Sequence, residues 1–315
     1  STLDRSSAAS DVYKRQDVQS MFILKPEKTY MNIGTAGSMP KLVLDVFDTE
    51  NRKKAADSGN GYSNLLDLRK QVAPGFGVDA DELAFSANTS SGMCHAILGI
   101  DWQRGDVVVT TNHEHGGGDT PLKIAQDRYG IEVSRIALPV GNNQTAATYV
   151  NLFDERIRAL KAQGKRVRAM MWSSPTYKTG TMLPIADLMG VVKAHGLISI
   201  VDGAHLPGMM AYNYAELGMD FMSGAGHKWQ CGPGSTGILI IRNKMRASNP
   251  LPPAQVVPGA HQRLPGAGAH DHGQGDLRHR RLGHLLRQRA HAHVHGAGPG
   301  LRAVGQHRPQ EDRDL

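Results

Sequence analysis

Between residue 21 and about residue 245 the chain alternates short apolar runs with longer segments whose apolar residues recur at helical spacing. The runs are rich in β-branched side chains and are the length of buried strands. They fall at Glu82 to Ser86, Asp106 to Thr110, Val133 to Leu138, Val167 to Trp172, Leu197 to Val201, Phe221 to Ser223 and Gly237 to Ile241. Helices fit between them. In Asn151 to Ala162, Leu152, Ile157 and Leu160 share one face and Asn151 suits the cap position; Ile185 to Ala194 is followed by Gly196, which suits a helix end. Strands and helices that alternate over short connections predict an α/β domain, a mostly parallel sheet with helices on both faces.

Both flanks break this pattern. Residues 1–20 are polar and Ser-rich, with no helical or strand periodicity and no apolar centre of an export signal; they are similar to translated vector sequence or to a disordered leader. Residues 246–315 contain no Ile, Phe, Tyr, Trp, Lys, Thr, Met or Cys, so they offer few shaped apolar side chains and are expected to be disordered. Two origins fit this composition: coding sequence translated out of frame, or a native low-complexity tail. His291, His293 and His295 lie in it and are given no function.

Charge follows the same division. Of the net +7, ten Arg against five Asp or Glu place +5 after residue 245, so the body is nearly neutral and lacks the basic footprint of a nucleic-acid binder. No apolar run approaches the length of a membrane span. Two cysteines, Cys94 and Cys231, make no disulfide framework, and a reducing, cytoplasmic setting is expected.

Candidate chemistry gathers at strand ends. Val201-Asp-Gly-Ala-His-Leu-Pro-Gly208 puts Asp202 at the carboxyl end of a strand, where open α/β sheets bind ligands; alone, Asp202 suits a helix cap equally well. After the next strand, Lys228 precedes a Gly-Pro-Gly turn that lets the backbone approach a ligand closely. An amine and a strand-end carboxylate together are what pyridoxal 5'-phosphate (PLP) chemistry needs: one bonds the cofactor aldehyde, the other keeps the pyridine nitrogen protonated.

In pairing and order these residues resemble the aminotransferase class V group of fold-type I PLP enzymes, which includes cysteine desulfurases and isopenicillin N epimerase. The resemblance runs from about Tyr30 to Ile241 and is strongest from Leu197 to Gly237. It implies that Lys228 bonds the cofactor, Asp202 holds the pyridine nitrogen, His205 meets the phenolic oxygen and His227 the phosphate. Phe85-Ser-Ala-Asn-Thr-Ser-Ser-Gly-Met93 resembles the family's phosphate-cradling turn, with Asn88, Thr89 and Ser90 as candidates; the same residues suit an ordinary N-cap. Asn112-His-Glu-His-Gly116 resembles the Glu-His pair whose histidine stacks on the cofactor ring, which gives that role to His115; a solvated loop histidine is the plainer reading. Thr236 resembles a residue that reaches a phosphate across the subunit boundary, which implies a homodimer.

The pattern also departs from the family. Ala225 stands three residues before Lys228, where desulfurases have Ser, so that hydroxyl is absent or comes from Ser223. Ser173-Ser-Pro-Thr-Tyr177 and Tyr30-Met-Asn-Ile-Gly-Thr-Ala-Gly37 look more like the epimerase branch, with Thr176 as the cofactor contact. The expected activity is therefore PLP-dependent epimerisation, racemisation or transamination at the α carbon of an amino-acid substrate. Cysteine desulfuration is the alternative, although neither cysteine lies where the family's mobile nucleophile does. A third reading is a PLP-binding chain without turnover: the family's C-terminal small domain supplies an arginine for the substrate carboxylate, and Arg278, Arg287 and Arg302 sit in the low-complexity segment. No metal, membrane or nucleic-acid partner is expected.

Overall fold

A computed structural model describes residues 16–58, 64–141 and 143–242. The segment 246–315, with its histidines and arginines, and residues 1–15 lie outside the described residues. Residues 16–20, expected to lack periodic structure, are instead helical, and the Lys41 amine donates to the Ser20 carbonyl at 2.7 Å.

The chain then runs through α1 (Lys41–Asp57), α2 (Leu65–Val72), β1 (Leu83–Ser86), α3 (Thr89–Leu98), β2 (Asp106–Thr111), α4 (Gly116–Tyr129) and β3 (Glu132–Ile136). It continues through α5 (Ala146–Ala162), β4 (Arg166–Ser173), α6 (Ile185–His195), β5 (Ile198–Asp202), α7 (Tyr214–Leu217), β6 (Phe221–Ala225) and β7 (Gly237–Ile241). The strands make one sheet in the order β1-β7-β6-β5-β4-β2-β3. All pairs are parallel except those of β7, which is antiparallel to both β1 and β6. The mostly parallel α/β expectation is thus met.

Strand residues alternate between two cores, because successive side chains leave opposite faces of a pleated sheet. Val107 and Val109 of β2, Met170 and Trp172 of β4 and Val201 of β5 pack with Phe153, Ile157 and Leu188 of α5 and α6. Their neighbours Val108, Ala169, Met171 and Ile200 pack with Met93 and Ile97 of α3 and Leu122 of α4. Both faces are therefore dry, which explains why the strands read as continuous apolar runs. Helix α1 is different. It buries no residue, and Leu42, Val46 and Phe47 are exposed.

Most predicted boundaries shift by a residue or two, and β6 runs on from Ser223 to Ala225. Helix α5 begins five residues before Asn151, because Thr145 and Thr148 form a reciprocal cap and Tyr149 and Phe153 extend the buried face toward it. Thr145→Ala should remove this cap and cost about 1 kcal/mol, read as a lower urea midpoint. Strand β3 spans Glu132–Ile136 rather than Val133 to Leu138; Leu138 is buried beyond it and its N–H donates to the Asn112 side chain at 3.0 Å instead of to a strand. The predicted end at Gly196 holds: it closes α6 with φ 65°, a left-handed conformation that glycine adopts freely.

Candidate active site

The parallel strands β2, β4, β5 and β6 end on one side of the sheet, and the side chains that carry chemistry follow those ends. Ser173 of β4 and Asp202 of β5 are register partners, and the next N–H, of Ser174, donates to the Asp202 carbonyl at 3.1 Å. Asp202 is buried. One carboxylate oxygen accepts from the Ala204 N–H at 3.1 Å. Burial pushes its carboxyl above the usual range, while that hydrogen bond, His115 and Lys228 pull the other way.

Lys228 lies in the loop after β6, half-buried, with Nζ 3.4 Å from His205 Nε2. Burial lowers the ammonium's affinity for its proton, and the charge of Asp202 partly restores it. His205 receives a hydrogen bond at Nδ1 from the Trp229 indole N–H at 2.9 Å. The neutral ring therefore carries its proton on Nε2, facing the lysine. Burial, with the Lys228 and His115 charges, takes His205 down to about 4, so the ring is neutral at pH 7.

The backbone around Lys228 is held closely. Cys231 adopts φ 54° and its N–H donates to the Lys228 carbonyl at 3.0 Å. From the amino-terminal side, the Gly37 N–H donates to the His227 carbonyl at 2.7 Å, and any Cβ on residue 37 would collide with the Lys228 carbonyl. The segment Tyr30 to Gly37, likened above to the epimerase branch, is thereby anchored beside the lysine; Gly34 likewise approaches the His205 ring.

The turn between β1 and α3 is both cap and candidate cradle. Asn88 Oδ1 accepts from the Ser91 N–H and the Ser91 hydroxyl accepts from the Asn88 N–H, so the Asn88 side chain is spent on the helix. Thr89 is available: its hydroxyl is buried without a hydrogen-bond partner at the positive end of α3. Ser90 is exposed and packs against Gly117, beside His115. An anion with acceptor oxygens would satisfy Thr89 and the first-turn N–H groups together.

The other candidates are placed less uniformly. His115 is the exposed N-cap of α4; its Nδ1 accepts from the Gly117 N–H at 3.0 Å and its ring meets Tyr177 edge-on at 4.7 Å. His227 Nδ1 bonds the Thr236 carbonyl at 3.1 Å, and the Thr236 hydroxyl donates to Pro233 O at 2.6 Å. The Thr176 hydroxyl stays within its own turn, bonded to the Thr179 hydroxyl at 2.8 Å and the Thr181 N–H at 3.0 Å. Ser223 does not replace the hydroxyl missing at Ala225: it is buried and donates to the carbonyls of Thr89 and Ile238, fastening α3 to the sheet.

Two residues without a sequence-based role belong to the site. Trp229 orients His205. Glu114 is buried where β2 meets β4, accepting from the Thr111 hydroxyl and the Ser173 hydroxyl, each at 2.5 Å. Burial, aided by the charge of Asp202 and opposed by the two hydroxyls, pushes its carboxyl up to about 7. A glutamate between two histidines in a loop resembles a solvated charge, so only strand register reveals it.

A family model described as Aminotransferase class-V matches residues 45–260. The chain belongs to that family. Isopenicillin N epimerase of Streptomyces clavuligerus is 24% identical over 235 residues, 72% of this chain and 56% of the relative. A probable cysteine desulfurase of Pyrococcus abyssi is 27% identical over 239 residues, 73% of this chain and 57% of the relative. Among solved structures, a variant of C-DES with glycine covalently linked to its PLP cofactor superposes with a TM-score of 0.62 at 25% identity, covering 71% of this chain and 59% of that one. The aminotransferase class-V chain thus spans a little over half the length of these relatives. The cofactor expected from the sequence is the one named for C-DES. Among the described residues, no helix is long and apolar enough to cross a membrane, and no cluster of His, Cys, Asp or Glu has the arrangement of a metal site.

Proposed function

We propose that this aminotransferase class-V chain binds PLP and acts at the α carbon of an amino acid, as an epimerase, racemase or aminotransferase, and that it works as a homodimer. One observation carries this reading: an amine of weakened basicity, a buried carboxylate and an orphan hydroxyl at a helix N-terminus converge on one end of the sheet. The residues fit the cofactor. Lys228 would hold its aldehyde carbon, Asp202 its ring nitrogen, His205 its phenolic oxygen, and Thr89 with Ser90 and His227 its phosphate. Bound PLP supplies an electron sink that makes the α proton of an amino acid removable.

The protein's part is to manage protons and water. Lys228 Nζ would take the α proton as general base, and burial favours the free amine that this needs. Asp202 would supply the negative charge for the ring nitrogen from a dry position, where a charge acts strongly. His205, fixed by Trp229, offers an Nε2 proton to an oxygen. Return of the α proton to the opposite face would make the chain an epimerase or racemase; an amino-to-keto exchange would make it an aminotransferase.

Cysteine desulfuration is the second reading, favoured by the desulfurase relative. Neither described cysteine supports it, since burial raises the thiol pKa of both Cys94 and Cys231 and holds them as the poorer nucleophile. The test is to purify the chain with PLP, record the visible band of bound cofactor, and supply amino acids in D2O. A band with deuterium incorporation at the α carbon is the expected result; loss of chirality against keto-acid formation separates the two branches. Sulfur release from cysteine would favour the second reading, and the absence of any visible band overturns the cofactor assignment.

A further inference from the structure

Among the described residues, Glu114 is the one buried acid at this end of the sheet with no part in the chemistry above. Its Oε1 accepts from the Thr111 hydroxyl at the tip of β2 and its Oε2 lies 2.5 Å from the Ser173 hydroxyl at the tip of β4. Ser173 is in register with Asp202, and the Ser174 N–H holds the Asp202 backbone. The carboxyl group therefore ties β4, the strand that anchors Asp202, to the tip of β2 on its other side. Either hydroxyl can donate to the carboxyl or turn to accept from it when it is protonated; the Thr111 hydroxyl also accepts from the His113 N–H at 3.1 Å, and the Ser173 N–H bonds the carboxyl as well.

We propose that Glu114 is a positioning residue for Asp202: it clamps the tips of β2 and β4 and holds a proton on its carboxyl, so that Asp202 alone carries the buried negative charge. The inference rests on the PLP reading for its use, and on geometry for its existence. Two carboxylates that repel each other in a dry site do not both ionise easily, and the buried environment favours one neutral acid. Burial, with a smaller push from the Asp202 charge, raises the Glu114 carboxyl to about 7 against the hydrogen bonds from Ser173 and Thr111. Around this tip, Asp202 at the end of β5 acts on Glu114 directly, while His115 at the start of α4 and Lys228 after β6 act on Asp202. His113, on the same loop, sits with Nδ1 3.5 Å from the Thr179 hydroxyl, and the Lys178 amine donates to the Asn112 carbonyl. As pH rises through 7, Glu114 loses its proton, a second negative charge faces Asp202, and any cation that Asp202 holds is held more strongly.

The test compares the full-length wild-type chain with Glu114→Gln, which keeps the size and hydrogen-bonding reach of the side chain but has no proton to lose. Without PLP, the infrared difference between the two proteins should contain a carboxylic-acid band that disappears with a midpoint near pH 7. The same difference measured in an Asp202→Asn background should show a lower midpoint, because the repelling charge is gone. With PLP, the visible band should shift across the same pH range in the wild type, and the shift should be absent from Glu114→Gln with the colour retained. A purely structural clamp moves none of these. No carboxylic-acid band in mildly acidic buffer, or a midpoint unmoved by Asp202→Asn, overturns the proposal. Absence of a visible band in the wild type is instead the failure of the cofactor reading, and the two infrared outcomes still decide the role of Glu114.

Discussion

Lys228→Ala is expected to abolish the visible band of lysine-bound PLP and to slow α-proton exchange roughly 1,000-fold or more, while leaving the fold intact. The chemical loss is large because Lys228 is the amine that approaches both the Asp202 charge and His205 at this end of the sheet. The structural loss is small because the side chain gives the fold little: its Nζ makes a long contact with His205, and burial opposes its charge. Absorbance and deuterium exchange read the first effect and urea unfolding the second. Unchanged exchange in the variant would remove Lys228 as the base. Without the lysine, Asp202 loses a stabilising charge and its carboxyl moves further up, so PLP should also bind more weakly.

The largest expected effect on stability lies at the opposite end of the strands. Asp220, just before β6, is fully buried; one oxygen accepts from the N–H and hydroxyl of Ser199 at 2.8 and 2.9 Å, and the other pairs with Arg242. Arg242→Ala should cost about 3–5 kcal/mol, because it leaves a buried carboxylate unpaired. The cost depends on pH. Burial already raises the Asp220 carboxyl above its ordinary range, with Arg242 and Ser199 opposing. A raised acid contributes stability that is present while it is protonated and lost as pH rises through its folded-state pKa. Removing Arg242 raises it further, so the variant should lie closer to the wild type in acid than at pH 8. Urea titrations across that range measure this, and equal losses at both ends would mean that Asp220 is not the group left exposed.

Much of the scaffold was legible in the sequence. A strand buried on both faces favours consecutive apolar residues, which is why Gly237–Ile241 and the Val107, Val108 and Val109 run of β2 stand out in composition. Direction was not legible: nothing in Gly237-Ile-Leu-Ile-Ile241 distinguishes an antiparallel strand from a parallel one. The start of α5 was missed because the reciprocal cap uses Thr148 rather than the Glu or Gln that usually marks such a box. In the site, Asp202 and Lys228 were readable because strand ends and glycine-rich turns leave local marks. Glu114 and Ser223 were not, since their surroundings come from strands and helices distant in sequence. Asn88 and Thr89 show the limit most directly. Adjacent and chemically alike, one is consumed by the helix cap and the other is left unbonded, and only packing separates them.

The antiparallel placement of β7 sets an order of events during synthesis. The Asn88 turn follows β1, whose ladder partner β7 is made after every other strand of the sheet. Gly237 in β7 passes so near Asn88 that a Cβ there would press on its backbone. On a ribosome, the central parallel strands emerge and pair first, while β1 and its turn wait as an unpaired edge for most of the domain. The Asn88–Thr89 turn is therefore completed last, once Ile241 has emerged, in the same step that closes the sheet.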